Sequence, residues 1–139
     1  MEQKQQFFPE YVQLYRPLLN QLNNLLAPYR LFHSQWGILK LLWIDGEMTS
    51  AEIAMRKQVE KPSVTKIVQR LLEMNLVSIR PGVDRREKWI GLTEQGQATV
   101  VKVMADLEVF YENLLEGATK EDLEAGIRVL KLASKNLHI

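Results

Sequence analysis

The chain of 139 residues contains no cysteine. That excludes disulfides, thiolate zinc sites, iron–sulfur clusters, cysteine nucleophiles and thiol redox sensing together. Histidine is nearly as scarce: His33 and His138 stand far apart and show no metal-ligand spacing. A Gly-rich phosphate loop, a nucleophile elbow and a paired-carboxylate pattern are all missing. Nothing therefore reads as an enzyme, and no cofactor or metal is expected. Long apolar runs are missing too; even Ile38–Ile44 is broken by Lys40, so no segment suits a bilayer and no membrane partner is expected. The opening Met1-Glu2-Gln3-Lys4-Gln5-Gln6 lacks the apolar stretch of a secretory leader, and the expected location is cytoplasmic. Without repeats, low-complexity tracts or Gly/Ser linkers, residues 1–139 read as one continuous domain.

What is present is an ordinary globular composition, 46% hydrophobic and 25% charged. The net charge of +1 conceals an uneven distribution. Residues 50–90 hold nine basic groups against five acidic ones, between a neutral N-terminal third and an acidic C-terminal one. A basic centre on a neutral or acidic scaffold suits a polyanion, although many solvated surfaces carry a similar imbalance.

Hydrophobic periodicity supplies the elements. Phe8, Tyr11, Tyr15, Leu18, Leu22 and Leu25 recur at helical spacing over residues 7–27. Pro9 suits a first turn, Pro28 a stop, and Pro17 predicts a kink or break, because it removes a ladder bond and crowds the Gln13 carbonyl. Ser34 reads as the N-cap of a second helix over 35–45, with Trp36, Leu39, Leu42 and Trp43 inward and Gly46 closing it. Thr49-Ser50-Ala51-Glu52 is a capping box opening a third helix over 49–56. Pro62 takes the first position of a fourth, which runs to about Met74. Its Val64, Ile67, Val68, Leu71 and Leu72 form one stripe, opposite Ser63, Thr65, Lys66, Gln69 and Arg70. After Asn75, which tolerates a left-handed turn, the period falls to two: Val77 and Ile79, then Ile90 and Leu92, predict a β-hairpin whose tip is Val83-Asp84-Arg85-Arg86-Glu87-Lys88. Thr93 and Glu94 open a fifth helix, Gly117 ends it, and Thr119 caps a sixth carrying Leu123, Ile127, Leu130 and Leu137.

The fold class is thus mainly α with a small β-hairpin: a winged helix-turn-helix over 30–96, flanked by helices over 1–29 and 97–139. A major groove about 12 Å wide admits one α-helix, and a protruding hairpin reaches the neighbouring minor groove or backbone. The fourth helix offers Lys66 and Arg70 to phosphate or guanine and Gln69 to adenine. Its N-terminus at Pro62 and Ser63 favours a phosphate. A solvated amphipathic face explains that helix alone equally well; the paired arginines at an exposed turn move the balance toward double-stranded DNA.

The stretch Asp84-Arg85-Arg86-Glu87-Lys88-Trp89-Ile90-Gly91-Leu92-Thr93-Glu94-Gln95-Gly96 resembles the signature of the MarR (multiple antibiotic resistance regulator) family: Asp-x-Arg, five residues, Leu-Thr-x-x-Gly, without a gap. Gln35-Trp36, Thr49–Ala54 and Ser63–Leu71 resemble the family's helices in order and spacing. The resemblance implies a homodimeric transcriptional regulator, with the third and fourth helices as the helix-turn-helix and the hairpin as the wing. It implies that Ser63, Thr65, Lys66, Gln69 and Arg70 face the major groove. At the wing, Asp84 would orient Arg86 by a salt bridge, while Arg85 or Arg86 enters the minor groove beside Lys88. Leu92 and Thr93 would be structural. Many members bind small aromatic or anionic effectors, for which Tyr11, Tyr15, Trp36, Trp43 and Phe110 are the candidates; aromatics at helical spacing also serve simply as core. Asn75 departs from the glycine often found at its position, and Pro17 departs inside the first helix.

The residues themselves also argue for dimerisation, with an intramolecular helical pack as the alternative. The first, fifth and sixth helices carry more apolar rows than a winged-helix core of about 65 residues can cover, and such rows on a monomer would be a liability. Two recognition helices about 34 Å apart predict a pseudo-palindromic operator. About four phosphate contacts in each half would set a slope of log K against log salt near −7. The alternative is a winged-helix module for protein–protein contact without specific DNA binding. It requires no basic recognition face, whereas Lys66, Arg70, Arg85 and Arg86 supply one.

Overall fold

A computed structural model describes residues 2–138. Residues 1 and 139, the outer ends of the expected domain spans, lie outside the described residues. Two compact units divide the chain, residues 1–106 and 107–139.

The first unit opens with α1 (Gln3–Leu26) and a short 3-10 turn over Ala27–Tyr29. It continues through α2 (His33–Asp45), β1 (Met48–Thr49), α3 (Ser50–Lys57), α4 (Lys61–Glu73), β2 (Val77–Pro81), β3 (Lys88–Leu92) and the start of α5 (Glu94–Leu114). The strands form an antiparallel sheet in the order β1-β3-β2, with Ile90 opposite both Met48 and Ile79. This is the winged helix-turn-helix arrangement, with one addition: the two-residue β1 makes the expected hairpin a three-stranded sheet.

Its core is built from the stripes that periodicity marked. Leu39 of α2, Ile53 of α3, Val64 and Leu71 of α4, Ile90 of β3 and Val100 of α5 are all fully buried. Each such side chain contributes about 1.5–3 kcal/mol relative to exposure. Trp36 joins them, but Trp43 does not. It leaves the α2 stripe next to Leu42 and stays 40% exposed, against its expected inward position.

Helix ends correct several local expectations. Helix α1 starts at Gln3, so Pro9 lies well inside it, and the helix continues through Pro17 without a break. Both prolines and Gln13 are exposed, so water can satisfy a carbonyl left without an N–H donor. Helix α2 starts at His33 with Phe32 as its N-cap, displacing Ser34. The Phe32 N–H donates to Gln35 Oε1 at 3.0 Å and the His33 N–H to Asn23 Oδ1 at 2.9 Å, so α1 supplies part of the cap. At α3, Thr49 Oγ1 accepts the Glu52 N–H at 3.2 Å as expected. The Glu52 carboxylate, however, meets the Thr49 hydroxyl at 3.4 Å rather than its N–H, for Thr49 is also a β1 residue. Helix α4 begins at Lys61, placing Pro62 second.

Three helices end on left-handed residues other than glycine: Arg30, Gln58 and Asn75. After α4, the Asn75 N–H donates to the Leu72 carbonyl and the Leu76 N–H to the Leu71 carbonyl, both at 3.0 Å. That pattern turns the chain sharply and drives the buried Leu76 back onto the helix.

The second unit holds the end of α5 and α6 (Lys120–Leu137). Thr119 and Asp122 exchange a full capping box, Asp122 N–H to Thr119 Oγ1 at 3.1 Å and Thr119 N–H to Asp122 Oδ2 at 2.9 Å. The amphipathic α6 has no buried residue; Ile127, Leu130 and Leu132 are each about half exposed. Among the described residues, no helix is long and apolar enough to cross a membrane.

Candidate nucleic-acid interface

Helix α4 is amphipathic along its whole length. Val64, Val68 and Leu71 face the core, and Ser63, Thr65, Lys66, Gln69 and Arg70 remain exposed on the other side. Those five split into two rows. Thr65 and Gln69 line a groove of about 550 Å³ together with Lys61. Its far wall is the wing, where Arg86, Glu87 and Lys88 stand beside Ile79 and Ile90; Thr49, Ser50 and Ala51 of the α3 start close one end. Lys61, Arg86 and Lys88 against the single carboxylate of Glu87 leave this groove net positive. Ser63, Lys66 and Arg70 lie outside its walls, and the Arg70 guanidinium reaches Glu73 at 3.3 Å. That pair is half exposed, so it contributes little and yields easily to a phosphate. The Thr65 hydroxyl donates to the Lys61 carbonyl at 3.1 Å.

The wing is held in shape by its own backbone. The Gly82 N–H donates to the Glu87 carbonyl and the Glu87 N–H to the Asp84 carbonyl, both at 2.9 Å. Asp84 Oδ1 accepts the Arg86 N–H at 3.1 Å. The expected salt bridge between these two side chains is not formed: Asp84 folds the turn through the backbone, leaving the Arg86 guanidinium to the groove. Arg85 is exposed at the tip. Gly82 has a steric reason, because a Cβ there would lie 2.7 Å from Glu87 Cβ and 2.8 Å from Trp89 Nε1.

Two braces were not visible in the sequence. Arg80 of β2 donates to Glu47 Oε2 at 2.6 Å and lies 5.7 Å from the Trp89 ring centre, tying the outer wing to the α2–β1 turn. No local pattern links positions 33 residues apart. Lys61, by contrast, was findable, since it precedes Thr65 and Gln69 at four-residue spacing on one helical stripe.

The Leu-Thr-x-x-Gly segment is a lock between the wing and α5. The Thr93 N–H donates to the Leu76 carbonyl at 3.1 Å, its hydroxyl donates to the Asn75 carbonyl at 2.8 Å, and its Oγ1 accepts the Gly96 N–H at 2.9 Å. Gly96 is buried against the Leu76 backbone; a Cβ there would overlap the Leu76 carbonyl oxygen and sit 3.0 Å from its carbon. Leu92 lies 3.3 Å from the same point.

The five aromatic candidates for an effector are differently placed. Tyr11 and Tyr15 are exposed on α1 with ring centres 5.8 Å apart. Trp36 is in the core, and Phe110 belongs to the second unit, where its ring lies 5.6 Å from that of Tyr111. Trp43 lines a cavity of about 380 Å³ with Leu42, Glu47, Gly91, Leu92 and Gln97.

A recognition helix beside a braced basic wing defines a DNA-binding winged helix-turn-helix protein. Comparisons narrow the class. A sequence model of the MarR family matches residues 31–88. The chain is 36% identical over 110 residues to the uncharacterized HTH-type transcriptional regulator YwoH of Bacillus subtilis, covering 79% of this chain and 80% of that protein. Its fold matches Staphylococcus aureus MarR in complex with salicylate and kanamycin with a TM-score of 0.87 at 25% identity, over 96% of this chain and 91% of that one. It matches AbsC, a MarR family transcriptional regulator from Streptomyces coelicolor, with a TM-score of 0.83 at 25% identity, over 99% and 96%. The chain belongs to the MarR family of transcriptional regulators, which are DNA-binding proteins and not enzymes.

Proposed function

We propose that the chain acts as a cytoplasmic homodimeric repressor on a pseudo-palindromic operator. In this reading residues 30–96 are the DNA-binding lobe, and residues 1–29 and 97–139 the dimerisation region. Ser63, Thr65, Lys66, Gln69 and Arg70 address the major groove, while Arg85, Arg86 and Lys88 follow the adjacent minor groove with Asp84 shaping their turn. The observation that carries the proposal is the basic groove between α4 and the wing, which brings Thr65 and Gln69 opposite Arg86 and Lys88. Phosphate contacts supply affinity and the α4 side chains supply sequence preference. Repression needs no more than occupation of a site overlapping a promoter.

Dimerisation is supported by α6, an amphipathic helix of 18 residues with none buried, and by Phe8, Tyr11, Val12 and Tyr15 exposed on α1. Exposed apolar rows of this kind favour burial against a partner, and a two-fold axis would cover both copies with one surface. Release by a small aromatic or anionic effector is supported by the salicylate bound to the S. aureus relative. The cavity beside Trp43, next to the Glu47 brace of the wing, is a place where such a ligand would be felt by the DNA-binding surface.

The test is capture of genomic fragments by the purified protein at physiological salt, followed by sequencing. Enrichment of a short inverted repeat near promoters is expected. Weak capture without a shared motif, abolished by modest added salt, would refute specific recognition and favour a protein-binding module.

A further inference from the structure

Lys57, the last residue of α3, is exposed, but the end of its side chain lies against α2. A Cβ added to Gly37 would lie 2.9 Å from Lys57 Nζ, so the ammonium occupies the space that glycine leaves open. Lys40 follows Gly37 by three residues, on the same side of α2. Burial first, and the Lys40 charge second, pull the Lys57 pKa below that of an ordinary ammonium. Neither lysine belongs to an ion pair among the described residues. Asp45, farther along α2, is already engaged by Arg56 at 2.9 Å. The C-terminal dipole of α3 favours a cation at position 57. It accounts neither for the second cation nor for the seat over Gly37. Two exposed lysines on one side of α2, without an ion-pair partner among the described residues, favour an oxyanion beside them.

The position of the pair indicates which oxyanion. The α3–α4 turn is closed tightly, with the Val59 N–H donating to the Ala54 carbonyl at 3.1 Å and Gln58 left-handed. Lys57 therefore precedes Lys61, on the wall of the basic groove, by four residues and at most about 14 Å of chain. We infer that Lys40 and Lys57 form a phosphate clamp on the α2 flank of the helix-turn-helix, gripping the DNA backbone outside the base-reading surface. The clamp rests on the proposed DNA-binding function and extends it to a third point of attachment besides α4 and the wing.

The test uses the full chain and a duplex that it selects from a random-sequence pool. Affinity is measured over a range of salt for the intact protein, for Lys40→Ala with Lys57→Ala together, and for Arg86→Ala as a reference that weakens binding through the wing. Each half-site that neutralises one phosphate fewer flattens the slope of log K against log salt by about 0.9. The double variant is therefore expected to bind several-fold more weakly at physiological salt with a flatter slope, yet to select the same sequence. An unchanged slope in the double variant, with Arg86→Ala impaired, overturns the clamp alone. Failure of the intact chain to select any duplex overturns the proposed function and the clamp together. Inorganic phosphate, titrated while the lysine side chains are followed by NMR, separates the two sources of oxyanion. A saturating Lys57 shift beside an unchanged DNA slope assigns the pair to a free anion and overturns the DNA-backbone assignment.

Discussion

Gly96→Ala is the sharpest test of how the wing is joined to the rest of the first unit. The added methyl would meet the Leu76 carbonyl carbon at 3.0 Å, and its oxygen closer still, where carbon atoms prefer about 3.5–4.0 Å. Relief requires a shift of about 0.5–1 Å by the first turn of α5 or by the Leu76 peptide. That peptide cannot move freely, because its oxygen accepts the Thr93 N–H at 3.1 Å. Overpacking of this kind costs about 1–3 kcal/mol, and a weakened hydrogen bond adds about 1 kcal/mol. The better helix propensity of alanine returns about 1 kcal/mol. The net loss is about 1–3 kcal/mol, or a Tm lower by about 3–10 °C for a chain of this length. Gln97→Ala, at the next position on the exposed side of the same turn, serves as the control and is expected within about 0.5 kcal/mol of the parent. Thermal unfolding followed by circular dichroism measures both, at one fixed protein concentration, since association shifts an apparent Tm. If Gly96→Ala unfolds within a degree or two of Gln97→Ala, the close approach to Leu76 is not what requires a glycine, and the lock is misread.

Thr93→Ala removes the hydroxyl that joins Asn75 to the start of α5, and a loss of about 1–2 kcal/mol is expected in urea unfolding; Thr93→Ser should recover most of it. Arg86→Ala is expected to weaken duplex binding and flatten its salt dependence while leaving Tm within a degree, because the guanidinium is exposed and forms no ion pair among the described residues. Ile127→Asp, on the exposed row of α6, is expected to shift the protein to monomer in sedimentation velocity; a dimer of undiminished stability would exclude that face from the interface. The Asp122 carboxyl is held below the usual carboxylate pKa chiefly by the Thr119 N–H, and then by the Thr119 hydroxyl. A depressed folded pKa means that this cap stabilises the fold fully above the unfolded value of about 3.9 and fades as pH falls through the folded one. Thr119→Ala keeps the N–H and removes only the hydroxyl, so a partial rise of the Asp122 pKa is expected in an NMR titration, and no rise would show that the hydroxyl contributes nothing.

Much of this fold was legible because burial on each helix is periodic and the turns carry their own chemistry. Val64, Val68 and Leu71 could only be one face of a helix, and Asn75 takes the left-handed turn assigned to it. What escaped the sequence depends on partners far along the chain. The cap of α2 moved from Ser34 to Phe32 because Asn23, ten residues earlier, supplies an acceptor for the His33 N–H. Strand β1 has two residues and no period of its own, and it exists because β3 offers an edge to Met48 and Thr49. Pro17 reads as a break when only the lost bond is counted, yet α1 continues through it, with the proline and Gln13 on an exposed surface.

The interface divides along the same line. Residue types and helical spacing placed Thr65 and Gln69 on one exposed stripe, and the same spacing contains Lys61. Which wing residues stand opposite that stripe is set by the turn geometry: Asp84 accepts the Arg86 N–H, and the wing closes through Gly82 and Glu87. The signature motif thus contains two kinds of residue. Asp84, Thr93 and Gly96 hold backbone in place, whereas Arg85, Arg86 and Lys88 carry the charge. Substituting the first kind should change stability and the aim of the wing together, and substituting the second should change DNA affinity with stability intact. Because the two kinds lie within the same thirteen residues, a loss of DNA binding by a variant in this segment identifies a DNA-touching residue only when its Tm is measured beside it.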